Sequence, residues 1–415
     1  MRTLADLDPF SPQVVQEPHE FFAALRREAP LYRLPNGAYY LISRYRDVRD
    51  AAMNLEVYSS NLIAVLMQGQ EQPDRPELLS LPVGATTGVA DALAIADPPV
   101  HARQRKLSNK AFSMRRVAAL EPAIRALAEE RIAAILPQCG ARWSSADWMR
   151  EVGVPLPITV IAGLIGLPSR DIPQLKRWSD AGIALLSGIN TPAELAEHAA
   201  QASQMVGYFN ARIDEAARAP RNDILGDLVR ATEGSEALTR DEVVSILAQI
   251  LTAGNETTTS LIGSALLLLL ENPDVERRVR ADRALLEPFI EEVLRLESPL
   301  HGHFRVVRRD TEVAGQPLPA GSRVMLHWGA ANRDPDEFPN PDAIDLARGN
   351  AKAHLAFGIG VHYCIGAALA RLEARVVLET LFARTSAVRR ADRKVAYVPS
   401  LLVRCLEGLP IELAA

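Results

Sequence analysis

The sequence predicts a mainly α-helical protein with small β-sheets, and three observations carry that prediction. Thr239-Arg240-Asp241-Glu242 is a capping box, with threonine at the helix cap and glutamate three residues on. The helical pattern that follows runs to Glu271, where Asn272-Pro273 ends it. Such a helix has about 32 residues and a length of roughly 48 Å, enough to cross a whole domain. A second helical pattern begins near Pro288, a good first-turn residue, and ends before Ser298-Pro299. The strand candidates are short and scattered by comparison.

In chain order, Glu20 to Glu28 reads as a helix. Leu31 to Leu34 and Tyr39 to Ser43 flank Pro35-Asn36-Gly37, which is a hairpin signal. From Ser59 to Asp97 the chain is rich in Pro, Gly, Gln and Thr; a loop of that length is usually functional. Mostly helical patterns follow as far as Leu296. Strand-like segments return at Phe304 to Val307, Val324 to His327 and Tyr397 to Val403. With no internal repeat or low-complexity linker, residues 1–415 read as one domain.

Hydrophobic residues make up 48% and charged residues 23% of the 415 positions, as in ordinary globular proteins. The formal net charge of −5 gives no reason to expect a nucleic-acid partner. The N-terminus lacks an apolar signal region. The strongest apolar run, Ala265 to Leu270, is far shorter than the roughly 20 residues needed to span a bilayer. A cytoplasmic protein without a membrane anchor is the expectation. The three cysteines, Cys139, Cys364 and Cys405, are too few and too far apart for a disulfide framework or a zinc site.

Cys364 stands apart from the other two. It lies in Phe357-Gly358-Ile359-Gly360-Val361-His362-Tyr363-Cys364-Ile365-Gly366, directly before an amphipathic run from Ala367. A cysteine ahead of a helix faces unpaired backbone N–H groups and the positive end of the helix dipole. That setting is expected to lower the thiol pKa. The glycines let the backbone pass close to something flat and bulky. A single thiolate presented this way suits an axial ligand to haem iron.

This loop, with Ala367-Ala368-Leu369-Ala370-Arg371 after it, resembles the haem-binding loop of the cytochrome P-450 family. The resemblance makes Cys364 the iron ligand, places Phe357, Gly358 and Gly366 against the haem, and gives His362 a haem propionate. Ala253-Gly254-Asn255-Glu256-Thr257-Thr258, inside the long helix, resembles the family's oxygen-binding kink. A helical glycine costs about 1 kcal/mol against alanine, and threonine hydroxyls can bond the preceding turn's carbonyls. Glu256 and Thr257 match the family's acid–alcohol pair, which manages protons, and Ala253 lies against the haem. Glu292-Val293-Leu294-Arg295 matches its Glu-x-x-Arg motif, with Arg348 as third member of a structural triad. By spacing alone, Glu291 could equally pair with Arg295.

Further matches concern the propionates. Asp97-Pro98-Pro99-Val100-His101-Ala102-Arg103-Gln104-Arg105 resembles a family segment in which His101 and Arg105 share a helical face. Arg305 matches the arginine that follows the Glu-x-x-Arg helix. Propionates are anionic, so Arg and His donors are apt.

The resemblance implies the family's triangular, helix-rich fold, haem b (Fe-protoporphyrin IX) and monooxygenase chemistry with O2. The chain contains no fused flavin or iron–sulfur module, so electrons are expected from a ferredoxin or flavodoxin with its NAD(P)H reductase. Arg103, Lys106, Lys110, Arg115, Arg116, Arg371 and Arg375 form the expected docking face for an acidic partner. Substrate contacts are expected from Asn61 to Ala96, from Gln249, Thr252 and Ala253, and from the stretch Leu300-His301-Gly302-His303 with the turn at Ser400-Leu401-Leu402. Mostly aliphatic surroundings point to a largely apolar substrate, such as a terpenoid, steroid or aromatic. The competing readings are a peroxide-driven peroxygenase and a haem-binding sensor without turnover.

Overall fold

The computed structural model describes residues 2–37, 39–61, 90–137, 142–186, 190–219, 221–232, 237–391 and 394–415. The expected loop from Asn61 to Ala96 therefore lies mostly outside the described residues, and Cys139 lies outside them as well. Seven helices position the site: α1 (His19–Glu28), α2 (Val100–Asn109), α3 (Glu121–Ile135), α4 (Ile172–Ala184), α5 (Arg240–Glu271), α6 (Leu286–Leu296) and α7 (Ala367–Arg384).

The central helix α5 keeps the bounds that its sequence signals gave. The Thr239 hydroxyl accepts the Glu242 N–H at 3.2 Å, and Glu242 Oε2 accepts the Thr239 N–H at 2.7 Å. Asn272 and Pro273 end the helix. Helix α6 begins at Leu286, two residues before the expected Pro288, because a 3₁₀ turn at Arg283–Leu285 feeds straight into it. One apolar cluster locks three of these helices together: Leu261, Ala265 and Leu269 of α5, Phe289, Ile290 and Val293 of α6, and Ala374, Leu378 and Phe382 of α7. This packing fixes the start of α7, and so the Cys364 loop, relative to the central helix.

The sheets are small. Strands β1 (Leu31–Arg33), β2 (Tyr40–Ile42), β3 (Tyr58–Ser59), β5 (His303–Val307) and β8 (Arg323–Leu326) form a five-stranded sheet ordered β1-β2-β8-β5-β3. β4 (Ser144–Asp147), β9 (Ala387–Arg390) and β10 (Pro410–Ala414) form a second sheet, with β10 central. β6 (Thr311–Val313) and β7 (Gln316–Leu318) pair alone.

The expected strand from Tyr397 to Val403 is absent. Only isolated bridges tie Tyr397 to Leu406 and Leu300 to Val403. Pro399 cannot donate to a ladder, and the Ser400 hydroxyl accepts the N–H groups of Leu402 and Val403, which turns the chain. No helix among the described residues is long and apolar enough to cross a membrane.

Candidate functional site

Cys364 ends a loop whose turns require glycine. Gly358 and Gly360 adopt φ of +67° and +71°, and a Cβ on Gly360 would lie 2.8 Å from Met53 Sδ. The Cys364 N–H donates to Phe357 O at 2.9 Å. Cys364 keeps part of its surface uncovered yet lies deep in the molecule, so its open side faces an internal space. The expected lowering of the thiol pKa is corrected here. Burial pushes the thiol up, and the N–H groups of Gly366 and Ala367, with Arg105 and Arg371, oppose this without reversing it. A thiolate in this position needs a strong positive partner, and a bound metal ion is one.

Helix α5 opens in the same way. Ala253 is exposed although the helix crosses the core between buried Leu251 and Asn255. Thr257 Oγ1 donates to Ala253 O at 2.7 Å, the back-bond its sequence predicts. The helix nevertheless continues unbroken from Arg240 to Glu271. Glu256, one residue before Thr257, lies with Oε2 3.4 Å from Lys176 Nζ of α4. Lys176 also pairs with Asp180, whose side chain is 48% exposed, so charged groups lead from Glu256 to the surface.

A third group gathers positive and imidazole side chains. The rings of His101 and His362 lie 4.2 Å apart between centroids. His303 and Arg305 share one face of β5, and Arg305 Nη1 meets His303 Nδ1 at 2.5 Å. Arg305 is almost fully buried, and its Nε has no hydrogen-bond partner among the described residues. Burial lowers its pKa to about 10. His362 is pushed down to about 2, by burial and then by Arg305, His101, His303 and Arg105. The carboxylate at hand, Asp97, is already engaged by Arg308 Nη2 at 2.7 Å and the Ser60 N–H at 2.9 Å. Such a set of buried donors calls for an anion from outside the chain.

The open spacing resolves for the Glu-x-x-Arg motif. Glu292 pairs with Arg295, Nε to Oε1 at 2.7 Å and Nη2 to Oε2 at 2.9 Å, and with Arg348 Nε at 3.0 Å. All three are almost wholly buried. Arg295 also donates to the carbonyls of Asn332, Pro341 and Ala343, which pins the segment before the Cys364 loop. Glu291 instead pairs with Arg371 and His354.

The profile of the family described as Cytochrome P-450 matches residues 189–388. Cytochrome P-450 144 of Mycobacterium tuberculosis is 38% identical over 402 residues, covering 97% of this chain and 90% of that protein. The chain belongs to the cytochrome P-450 family.

Vitamin D(3) 25-hydroxylase of Pseudonocardia autotrophica is 34% identical, over 97% of this chain and 96% of that one. Among solved structures, the P-450 CYP109E1 of Bacillus megaterium in complex with testosterone aligns with a TM-score of 0.84 at 30% identity, covering 97% and 99% of the two chains. The P-450 CREJ aligns with a TM-score of 0.89 at 28% identity, covering 99% and 100%. Members of the family bind haem b and act as monooxygenases, and this chain is a haem-dependent monooxygenase. Its residues fit that cofactor: an open sulfur at Cys364, an open helix face at Ala253 and a buried cationic cluster suited to two propionates.

Of the expected substrate contacts, Gln249, Thr252 and His301 also meet other parts of the chain. Gln249 spends its amide on backbone, donating to Ala92 O at 2.8 Å and accepting from the Ala94 N–H at 3.1 Å. Thr252 packs towards Gly182 of α4, where an added Cβ would lie 3.1 Å from its side chain. His301 is buried against Phe22 of α1, at 5.1 Å between centroids, and stacks on His327 at 5.7 Å. With Leu401 it lines a small cavity of about 30 Å³ that Phe21, Tyr39 and Met325 also face. Leu300 is held by its bridge to Val403. Sequence periodicity shows that these side chains share a segment, not which neighbour each one meets.

The expected docking face also shrinks. Arg103 is tied to Glu242, Arg116 to Asp227, Arg371 to Glu291, and Arg375 to Glu121 and Glu379. Lys106, Lys110 and Arg115 remain exposed. Lys176 was missed from sequence, and His303, expected to meet substrate, joins Arg305 and His362 in the cationic cluster. The Lys176–Asp180 pair is visible as an i,i+4 spacing, but nothing along the chain links it to Glu256.

Proposed function

We propose that this P-450 hydroxylates a largely apolar small molecule with O2 and two electrons from an external ferredoxin or flavodoxin. The observation that carries the reading is the Glu256–Thr257 pair beside the open face of α5, with Lys176 and Asp180 behind it. Bound haem supplies the oxygen chemistry, and thiolate ligation favours O–O cleavage. Cys364 would ligate the iron. His101, Arg105, Arg305 and His362 would take the propionates, with Phe357, Gly358 and Gly366 against one haem face and Ala253 against the other.

The chain's own task is to place substrate and move protons. Thr257 Oγ1, now donating to Ala253 O, can turn its hydroxyl into the open space. Glu256 can pass a proton forward and recover one through Lys176 and Asp180. The pairing of this acid with an alcohol favours the monooxygenase over a peroxygenase, which takes its protons with the peroxide. It also disfavours a sensor, which needs none.

Support for an apolar substrate comes from a polar group that is already spent. Gln249 gives its amide to the backbone, and Thr252 packs against Gly182 of α4. The vitamin D(3) and testosterone named for two relatives agree with a bulky, mostly hydrocarbon substrate. The test begins with the carbon monoxide difference spectrum of the reduced protein, followed by a spectral-shift screen. A thiolate-type band and shifts with neutral polycyclic ligands are expected. No thiolate-type band, or tight binding confined to carboxylates, would refute the reading.

A further inference from the structure

Arg371 lies one helical turn into α7 and touches four residues on two stretches of chain. Its Nε and Nη2 donate to Glu291 Oε1 and Oε2 at 2.6 and 2.9 Å. Its Nη1 meets Tyr363 Oη at 3.3 Å and Ala367 O at 3.5 Å. Its Cζ lies 4.5 Å from the centroid of the Phe357 ring. Phe357 O in turn accepts the Cys364 N–H at 2.9 Å. One planar cation therefore contacts the residue before Cys364, the residue whose carbonyl holds Cys364, and the first residue of the helix after it.

The clasp is itself anchored. Glu291 on α6 also meets His354 Nε2 at 3.2 Å, so the fork of Arg371 is held in one plane. From the other side, Arg105 Nη2 donates to Tyr363 O at 2.7 Å. Tyr363 remains 42% exposed, so its fixed position comes from these two guanidiniums and from Phe357. A lysine could supply the charge of Arg371 but not the bidentate fork or the stacking plane.

We propose that Arg371 is a positioning residue that holds the Cys364 loop in one geometry through Phe357 and Tyr363, and so sets the strength and lifetime of sulfur–iron ligation. The proposal rests on Cys364 being the iron ligand. Groups behind a metal ligand typically change affinity by about 10–100-fold, and Arg371 acts at that remove.

The test uses the haem-loaded full chain with Arg371→Lys, Glu291→Gln and Tyr363→Phe. The readouts are the fraction of thiolate-type carbon monoxide band, its decay to the band of protein without thiolate ligation, the reduction potential and the rate of haem transfer to an acceptor protein. Arg371→Lys and Glu291→Gln should both speed band decay and haem loss by about 10–100-fold, with far-UV circular dichroism unchanged. Tyr363→Phe should give a smaller change in the same direction. If Arg371→Lys matches wild type in decay, potential and haem loss, the proposal is overturned. If wild type itself gives no thiolate-type band, Cys364 is not the ligand and the earlier reading fails instead.

Discussion

Lys176 places its ammonium nitrogen 3.4 Å from Glu256 Oε2 while the same group pairs with Asp180 one turn along α4. Burial opposes the charge on Lys176, but Glu256 and Asp180 outweigh it and keep the lysine protonated. The Glu256 side chain is only 12% exposed, so this lysine is its link towards water. Glu256→Gln should cut product formation on the order of 10²-fold. Lys176→Met should give a smaller loss with a larger solvent isotope effect. Steady-state turnover in H2O and D2O checks both.

Thr257→Ala removes a hydroxyl without disturbing the helix, since the Thr257 back-bond to Ala253 is additional to the backbone ladder. NAD(P)H consumption should continue while hydrogen peroxide replaces product. Thr257→Ser should restore most of the coupling. Parallel assays of NAD(P)H, peroxide and product decide the matter, and unchanged coupling in the alanine variant would remove Thr257 from the proton path.

Glu292 is fully buried between Arg295 and Arg348. Glu292→Ala would leave two guanidiniums without their carboxylate in a dry site. A loss of about 3–5 kcal/mol is expected, read as a lower denaturation midpoint and poor haem incorporation. Arg348→Ala should show the same fault less severely, because Arg295 still covers Glu292.

Glu291 is held down to about 2 by Arg371 and His354, which together outweigh the cost of its burial. A carboxylate with a lowered folded pKa contributes stability that is complete above its unfolded pKa and fades as pH falls through the folded one. Between about pH 4.5 and pH 2, wild type should lose stability faster than Glu291→Gln. Equilibrium unfolding across that window tests the sign, and parallel curves would refute it.

Charge reversal separates docking residues from structural ones. Lys110→Glu and Arg115→Glu should slow reduction by an acidic ferredoxin, and the effect should shrink as salt rises. Arg116→Glu should instead destabilise the protein, since Arg116 meets Asp227 with both side chains 25% exposed. Stopped-flow reduction at two ionic strengths, with melting curves, distinguishes them.

The features legible in sequence were those written in local chemistry. The cap at Thr239, the stop at Asn272-Pro273 and the glycines at positions 358 and 360 each state a backbone requirement on the spot. What sequence hid was which neighbour a side chain meets across the fold. Gln249, Thr252 and Arg371 have the chemistry of pocket or surface residues, yet long-range packing sends them to Ala92, Gly182 and Glu291. The same limit applies to the tail: β10 pairs with β9 and with the distant β4, and the alternation of Ile411, Glu412 and Leu413 marks a strand without naming either partner.

The cluster around Arg305 has a consequence for the life of the polypeptide. It gathers Arg305, Arg105 and three imidazoles that burial keeps neutral, and no described residue lends it a spare carboxylate. Newly made chain must bury the Arg305 guanidinium without a full counter-charge until a porphyrin arrives with two acid groups. In a cell short of haem, unfinished chain should persist in an open, protease-sensitive form, so the abundance of the enzyme would follow the supply of its prosthetic group. The cradle for the cofactor would then also serve as a checkpoint on which copies survive.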